Sequence, residues 1–110
     1  MTEKQVLKHL KKYQRLLRLD DWDIQFEWLP ADVGDRVGET RFHTSKSQAY
    51  IKIRVGLTEK ELLYTLMHEL IHVRLGYTRF EEGSSEDQNL EQGINRLSEL
   101  LICQLEEHCG

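Results

Sequence analysis

The spacing of apolar positions changes character along the chain, and each change marks an element. Over residues 3–18, Val6, Leu7, Leu10, Tyr13, Leu16 and Leu17 recur at helical intervals among charged residues, which predicts an amphipathic helix. From Trp22 the period falls to two, with Trp22, Ile24, Phe26 and Trp28 alternating with Asp23, Gln25 and Glu27. That is the pattern of a half-buried strand, which Pro30 ends. Both tryptophans are expected in the core. Residues 31–36 read as a polar turn, and residues 37–43 as a second, weaker strand followed by the polar stretch 44–47. Tyr50, Ile51, Ile53 and Val55 predict a third strand, which Gly56 closes.

Helical spacing then returns over residues 58–76. Leu62, Leu63, Leu66, Met67, Leu70 and Ile71 form a wide apolar stripe, as a helix facing a core requires. Thr58 and Glu61 have the spacing of a capping box at its start, and Gly76 is suited to its end. A loop over residues 77–86, containing Gly83, Ser84 and Ser85, leads to a last helix over about residues 87–107. Its expected buried face is Leu90, Ile94, Leu97, Leu101 and Leu105. The predicted order is αβββαα: one α+β domain over residues 1–110, with a three-stranded sheet packed on the helix of residues 58–76.

Composition narrows the classes of function. The formal charge is −4, which argues against a general nucleic-acid binder. Residues 1–18 carry six Lys/Arg against one Glu, whereas residues 81–107 carry eight Asp/Glu against Arg96 alone. Two solvated helix faces attracting each other across the surface explain this split, and His9 is expected to be solvated among its lysines. Residues 1–18 lack the apolar region of a signal peptide, and no run reaches membrane-spanning length. Cys103 and Cys109 fit neither a disulfide framework nor a C-x-x-C site, so they read as free thiols of a cytoplasmic protein.

Candidate chemistry lies in His68-Glu69-Leu70-Ile71-His72. Residues four apart share a helix face, so His68 and His72 can offer two imidazole nitrogens to one cation. Glu69 lies about 100° around the helix, beside the pair. A carboxylate there can take a proton from a water activated by the metal, without binding the metal itself. This is the H-E-x-x-H signature of a zinc metallopeptidase, with zinc as Lewis acid and Glu69 as general base. Its competing reading is a hydrogen-bonded histidine pair in a core.

A catalytic zinc needs a third protein ligand. The metzincin pattern is excluded, since Leu75 stands in place of its glycine and no third histidine follows. The ligand is therefore a downstream carboxylate, or else His108 or Cys109. At 100° per residue, Glu91 lies at the inward edge of the last helix's apolar stripe, whereas Glu99 points to solvent and Glu81 and Glu82 precede the helix. Asn95, one turn beyond Glu91, is placed to hold a ligand histidine by a hydrogen bond. Alternatively, Glu91 is an interfacial acid favoured by the helix dipole.

His68-Glu69-x-x-His72 followed by Glu91-x-x-x-Asn95 resembles the gluzincin pattern, with Asn95 in place of the usual Asp. The short layout is similar to the minigluzincins and to the small HExxH proteins of phages and prophages. The resemblance implies a minimal zincin-like fold, zinc, and hydrolysis of a peptide or protein substrate. It also implies that an extended substrate lies against an edge strand, here Gly38, Glu39, Thr40, Arg41 and Phe42, with an oxyanion partner from Tyr77, Arg79 or His43. Two other functions compete with it. One is a non-catalytic interaction protein stabilised by zinc. The other is an SprT-like protease attached to nucleic acid through the basic first helix, against which net acidity and the absent third histidine count. The C-terminal tail is expected to stay out of its own site, because a helix of about 25 Å separates Glu91 from His108.

Overall fold

Thr2 opens α1 (Glu3–Leu16) with a capping box closed by Gln5. The helix stops two residues short of the expected end. Arg18 adopts φ 58°, Arg18 N–H bonds to Arg15 O and Leu19 N–H to Gln14 O. This pair of bonds is the Schellman arrangement, which satisfies orphan carbonyls at a helix end. It exposes Leu16 and buries Leu19 instead. The Gln14 amide then donates to the carbonyls of Leu19 and Trp22, fixing the entry to the sheet.

The structure, a computed structural model, describes residues 1–32, 34, 36–76 and 85–106. After α1 come β1 (Asp23–Leu29), β2 (Gly38–His43), a 3₁₀ turn (Thr44–Lys46), β3 (Gln48–Arg54), α2 (Glu59–Leu75) and α3 (Ser85–Glu106). The sheet order is β1-β3-β2, with β1 parallel and β2 antiparallel to β3. The fold is thus α+β, with three helices and a mixed three-stranded sheet. β2, second in sequence, forms an edge, and the last strand is central. Alternation assigns the faces: Phe26, Ile51 and Thr40 share one row, and Trp28, Ile53 and Gly38 the next. Ala49, Ile51 and Ile53 are fully buried on this side, while Tyr50 and Val55 are exposed. Phe26 packs edge-on to Trp28, and Trp22 edge-on to Phe42, at the margin of the same core.

α2 sits at the centre of the molecule, packed on β2, β3, α1 and α3. Its capping box forms as expected, with Thr58 and Glu61 each bonding to the other's backbone N–H. Because neighbours surround the helix, Leu62, Leu63, Leu66, Met67, Leu70, Ile71 and Val73 are all buried. The buried face of α3 is rotated from the expected one. Ile94, Ser98 and Ile102, spaced by four, are buried, and Leu97 is exposed. The small Ser98 side chain bonds back to Ile94 O and occupies little space at this contact.

α1 and α3 meet at one carboxylate. Lys12 Nζ and Tyr13 Oη both donate to Glu106 Oε1, at 3.0 and 2.7 Å. His9 Nδ1 lies 3.3 Å from the same oxygen and its ring leans on Tyr13, so His9 is a half-buried partner rather than a solvated residue. Burial raises the Glu106 pKa, but the donors Tyr13 and Lys12 and the charges of His9 and Lys12 outweigh it and hold the carboxyl below its ordinary range. Burial pushes the Tyr13 phenol up, and Glu106 adds to that effect. Cys103 is disulfide-bonded, which corrects the free-thiol expectation for that residue. Cys109 lies outside the described residues. Among the described residues no helix is long and apolar enough to cross a membrane.

Gly38 sets how closely β2 approaches α2. A Cβ at this position would stand 2.7 Å from Thr65 Cγ2, which is too close without movement. Thr65 is buried and its hydroxyl is held by Glu61 O, so it has little room to yield. Gly38→Ala is therefore expected to destabilise the fold by about 1–3 kcal/mol, the usual range for an overpacked contact. Adding Thr65→Ser, which removes the clashing methyl, should recover most of that loss. Denaturant unfolding of the two single variants and the double variant measures the coupling, and strictly additive losses would refute the contact.

Candidate metal centre

The histidines lie in the C-terminal half of the central helix, where their side chains remain 15% and 27% exposed. His68 and His72, one turn apart on α2, bring their Nε2 atoms to 3.2 Å from each other. Glu91 enters from the first half of α3. Its Oε2 lies 3.2 Å from His68 Nε2 and its Oε1 2.9 Å from His72 Nε2. Phase explains why Glu91 arrives there: it lies about 20° from Ile102 around α3, on the side that packs against α2. His68, His72 and Glu91 form a group able to hold a metal ion, with one donor atom from each lying within 4.8 Å of the others. Separations of 2.9 to 3.2 Å bring the three side chains close enough to share one small cation.

Glu69 flanks this group and is only 9% exposed. Its Oε2 accepts a hydrogen bond from Thr40 Oγ1 of β2. The Cβ position of Gly38 lies 3.4 Å from Glu69 Oε1, so the edge strand runs directly against the carboxylate. Thr40 was expected to matter through its backbone. Its side-chain role was not anticipated, and the signal available was a hydroxyl residue two positions from a glycine in a strand that borders the helix.

Asn95 occupies the position expected of it but performs a different task. Its Oδ1 accepts from Tyr64 Oη at 2.9 Å. Among the described residues His68 Nδ1 is buried without a hydrogen-bond partner, so Asn95 does not hold that imidazole. The link is indirect, since the Tyr64 ring lies beside His68 with centroids 6.2 Å apart. Burial, with the charges of Glu99 and Glu91, pushes the Tyr64 phenol up and keeps it a donor. The geometric reason is helix spacing: Asn95, one turn past Glu91, comes level with Tyr64, one turn before His68.

Of the three oxyanion candidates, His43 is not brought to the centre. It ends β2, pairs with Gln48 and is exposed. Strand alternation puts it on the sheet face opposite Thr40. Glu39 and Arg41 share that outer face, and Glu39 pairs with Arg36 at 2.9 Å. Tyr77, Arg79, His108 and Cys109 lie outside the described residues. A groove of about 810 Å³ opens one turn before His68, lined among others by Val37, Leu57, Tyr64, Thr65, Leu100 and Ile102.

If Glu91 is the third donor, Glu91→Ala should weaken zinc by about 10-fold or more, since even outer partners of metal ligands cost that much. Asn95→Ala, which releases Tyr64 and no donor atom, should cost less. Competition with a chromophoric chelator measures both affinities. A silent Glu91→Ala together with a damaging His108→Ala would refute the assignment.

The donor set rests on its own geometry, because no family model, no curated protein and no solved structure matches the chain.

Proposed function

We propose that this chain is a small zinc-dependent metallopeptidase with a minimal zincin-like fold, similar to the gluzincins and minigluzincins. The observation that carries the reading is Glu69: a nearly buried carboxylate, next to His68 in α2 but not one of the three candidate donors, facing the edge strand. A site that held metal only for stability would not need this residue. Two imidazoles and one carboxylate are a donor set suited to zinc, with a position left open for chemistry. Zinc bound there would supply a Lewis acid and a water of lowered pKa.

The chain's own groups supply the remaining functions. Glu69 is the general base that accepts the proton of the attacking water and returns it to the leaving amine. β2 is the docking edge for an extended peptide. Arg54 N–H bonds to Val37 O at 2.9 Å. In an antiparallel ladder this register turns the backbone groups of Gly38 and Thr40 toward the outer edge. The groove beside Thr65 and Tyr64 gives a side chain of the peptide an apolar place to rest.

One observation favours a second reading, a zinc-stabilised interaction protein. Glu91 comes from α3 and both histidines from α2, so an ion there would also staple the two helices together. Glu69→Gln separates the two functions. In a peptidase the variant keeps its zinc, by elemental analysis, and loses turnover of a peptide library by about 100-fold or more. Equal turnover in Glu69→Gln and the native chain would leave only the structural role.

A further inference from the structure

Thr40 serves both sides of the proposed site, one with its backbone and the other with its side chain. Its backbone faces the outer edge of the sheet, where the register places the groups available to an incoming peptide. Its side chain stands roughly perpendicular to the sheet, toward α2, where the hydroxyl donates to Glu69 Oε2. Gly38, two residues earlier and on the same face, carries no side chain, so Glu69 Oε1 lies against open backbone rather than a methyl group. Among the described residues, the carboxylate is therefore anchored through Oε2, with the bare backbone of Gly38 beside Oε1.

We infer that Thr40 is a positioning residue for the general base, coupling the strand edge that receives the peptide to the carboxylate that acts on it. The inference rests on the peptidase reading above. A buried carboxylate without a donor is costly and takes whatever orientation its surroundings allow. The Thr40 hydroxyl removes that freedom. Because the same residue lies on the docking edge, a peptide paired with β2 is held at a fixed distance from Glu69, and small displacements at this distance are expensive in rate. Close approach at Gly38 and Thr65 keeps the strand in place while the hydroxyl fixes the carboxylate.

The test compares Thr40→Val, Thr40→Ser and Glu69→Gln with the native chain, all loaded with zinc. Valine matches threonine in shape and favours strands, so the sheet should form, and melting temperature and zinc content report whether it has. With a quenched fluorescent peptide chosen from a library digest, Thr40→Val should lower kcat by about 10- to 100-fold at unchanged KM. Thr40→Ser, which keeps the hydroxyl, should restore most of it. A second readout needs no turnover: the side-chain carboxyl carbon resonance of Glu69 should move in Thr40→Val and stay in Thr40→Ser.

The outcomes separate the two claims. Native protein with no turnover that depends on Glu69 would defeat the peptidase reading, and the resonance would still decide whether Thr40 holds the carboxylate. In active protein, native kcat in Thr40→Val would overturn the inference whatever the resonance does. In inactive protein, an unmoved resonance would overturn it. A loss in Thr40→Val that serine does not restore would assign the effect to strand packing and also overturn it.

Discussion

A carboxylate on a helix that is apolar on nearly every side must find a donor or leave the core. Glu69 is that group, and much of the architecture depends on how it is accommodated. Burying it unpaired would cost several kcal/mol, a large part of the margin of a domain this size. The fold meets the constraint with Thr40, and Thr40 reaches it only because β2 lies close to α2. That closeness in turn requires glycine at position 38, where a methyl group would meet Thr65. Edge strand, central helix and candidate base are thus one mechanical unit.

The other side of α2 works similarly. α3 packs through Ile94, Ser98 and Ile102, and the same rotation that buries them carries Glu91 to His68 and His72. Tyr64 and Asn95 clasp the two helices one turn away and place an aromatic ring against His68. The Glu91 carboxylate meets the Nε2 atoms of His68 and His72, one with each oxygen. A cation would replace those contacts with stronger ones, and its binding energy would add to the docking of α3 on α2.

Local signals were readable in the chain, and non-local ones were not. The alternation from Trp22 to Trp28, the Thr58–Glu61 cap and the four-residue spacing of the histidines each depend on neighbours within one or two turns, and each element appears where they indicate. Strand order depends on contacts far apart in sequence, so the central position of β3 and the parallel pairing of β1 could not be read. The end of α1 was missed because Arg18, not glycine, takes the left-handed position. Leu97 was misplaced because five residues at helical spacing leave the centre of a buried face uncertain by tens of degrees. Glu91 still reaches the histidines, lying on the side toward which the face rotates. His9 and Asn95 show a further limit: their partners, Glu106 and Tyr64, stand 97 and 31 positions away.

The central claim is that His68, His72 and Glu91 converge on one zinc ion. X-ray absorption at the zinc edge, on native protein reconstituted with stoichiometric metal, tests it most directly. The account predicts a first shell of nitrogen and oxygen only, with the outer scattering of two imidazoles and a remaining position filled by water. Sulfur in the first shell, or a shell of oxygens without imidazole scattering, would contradict it.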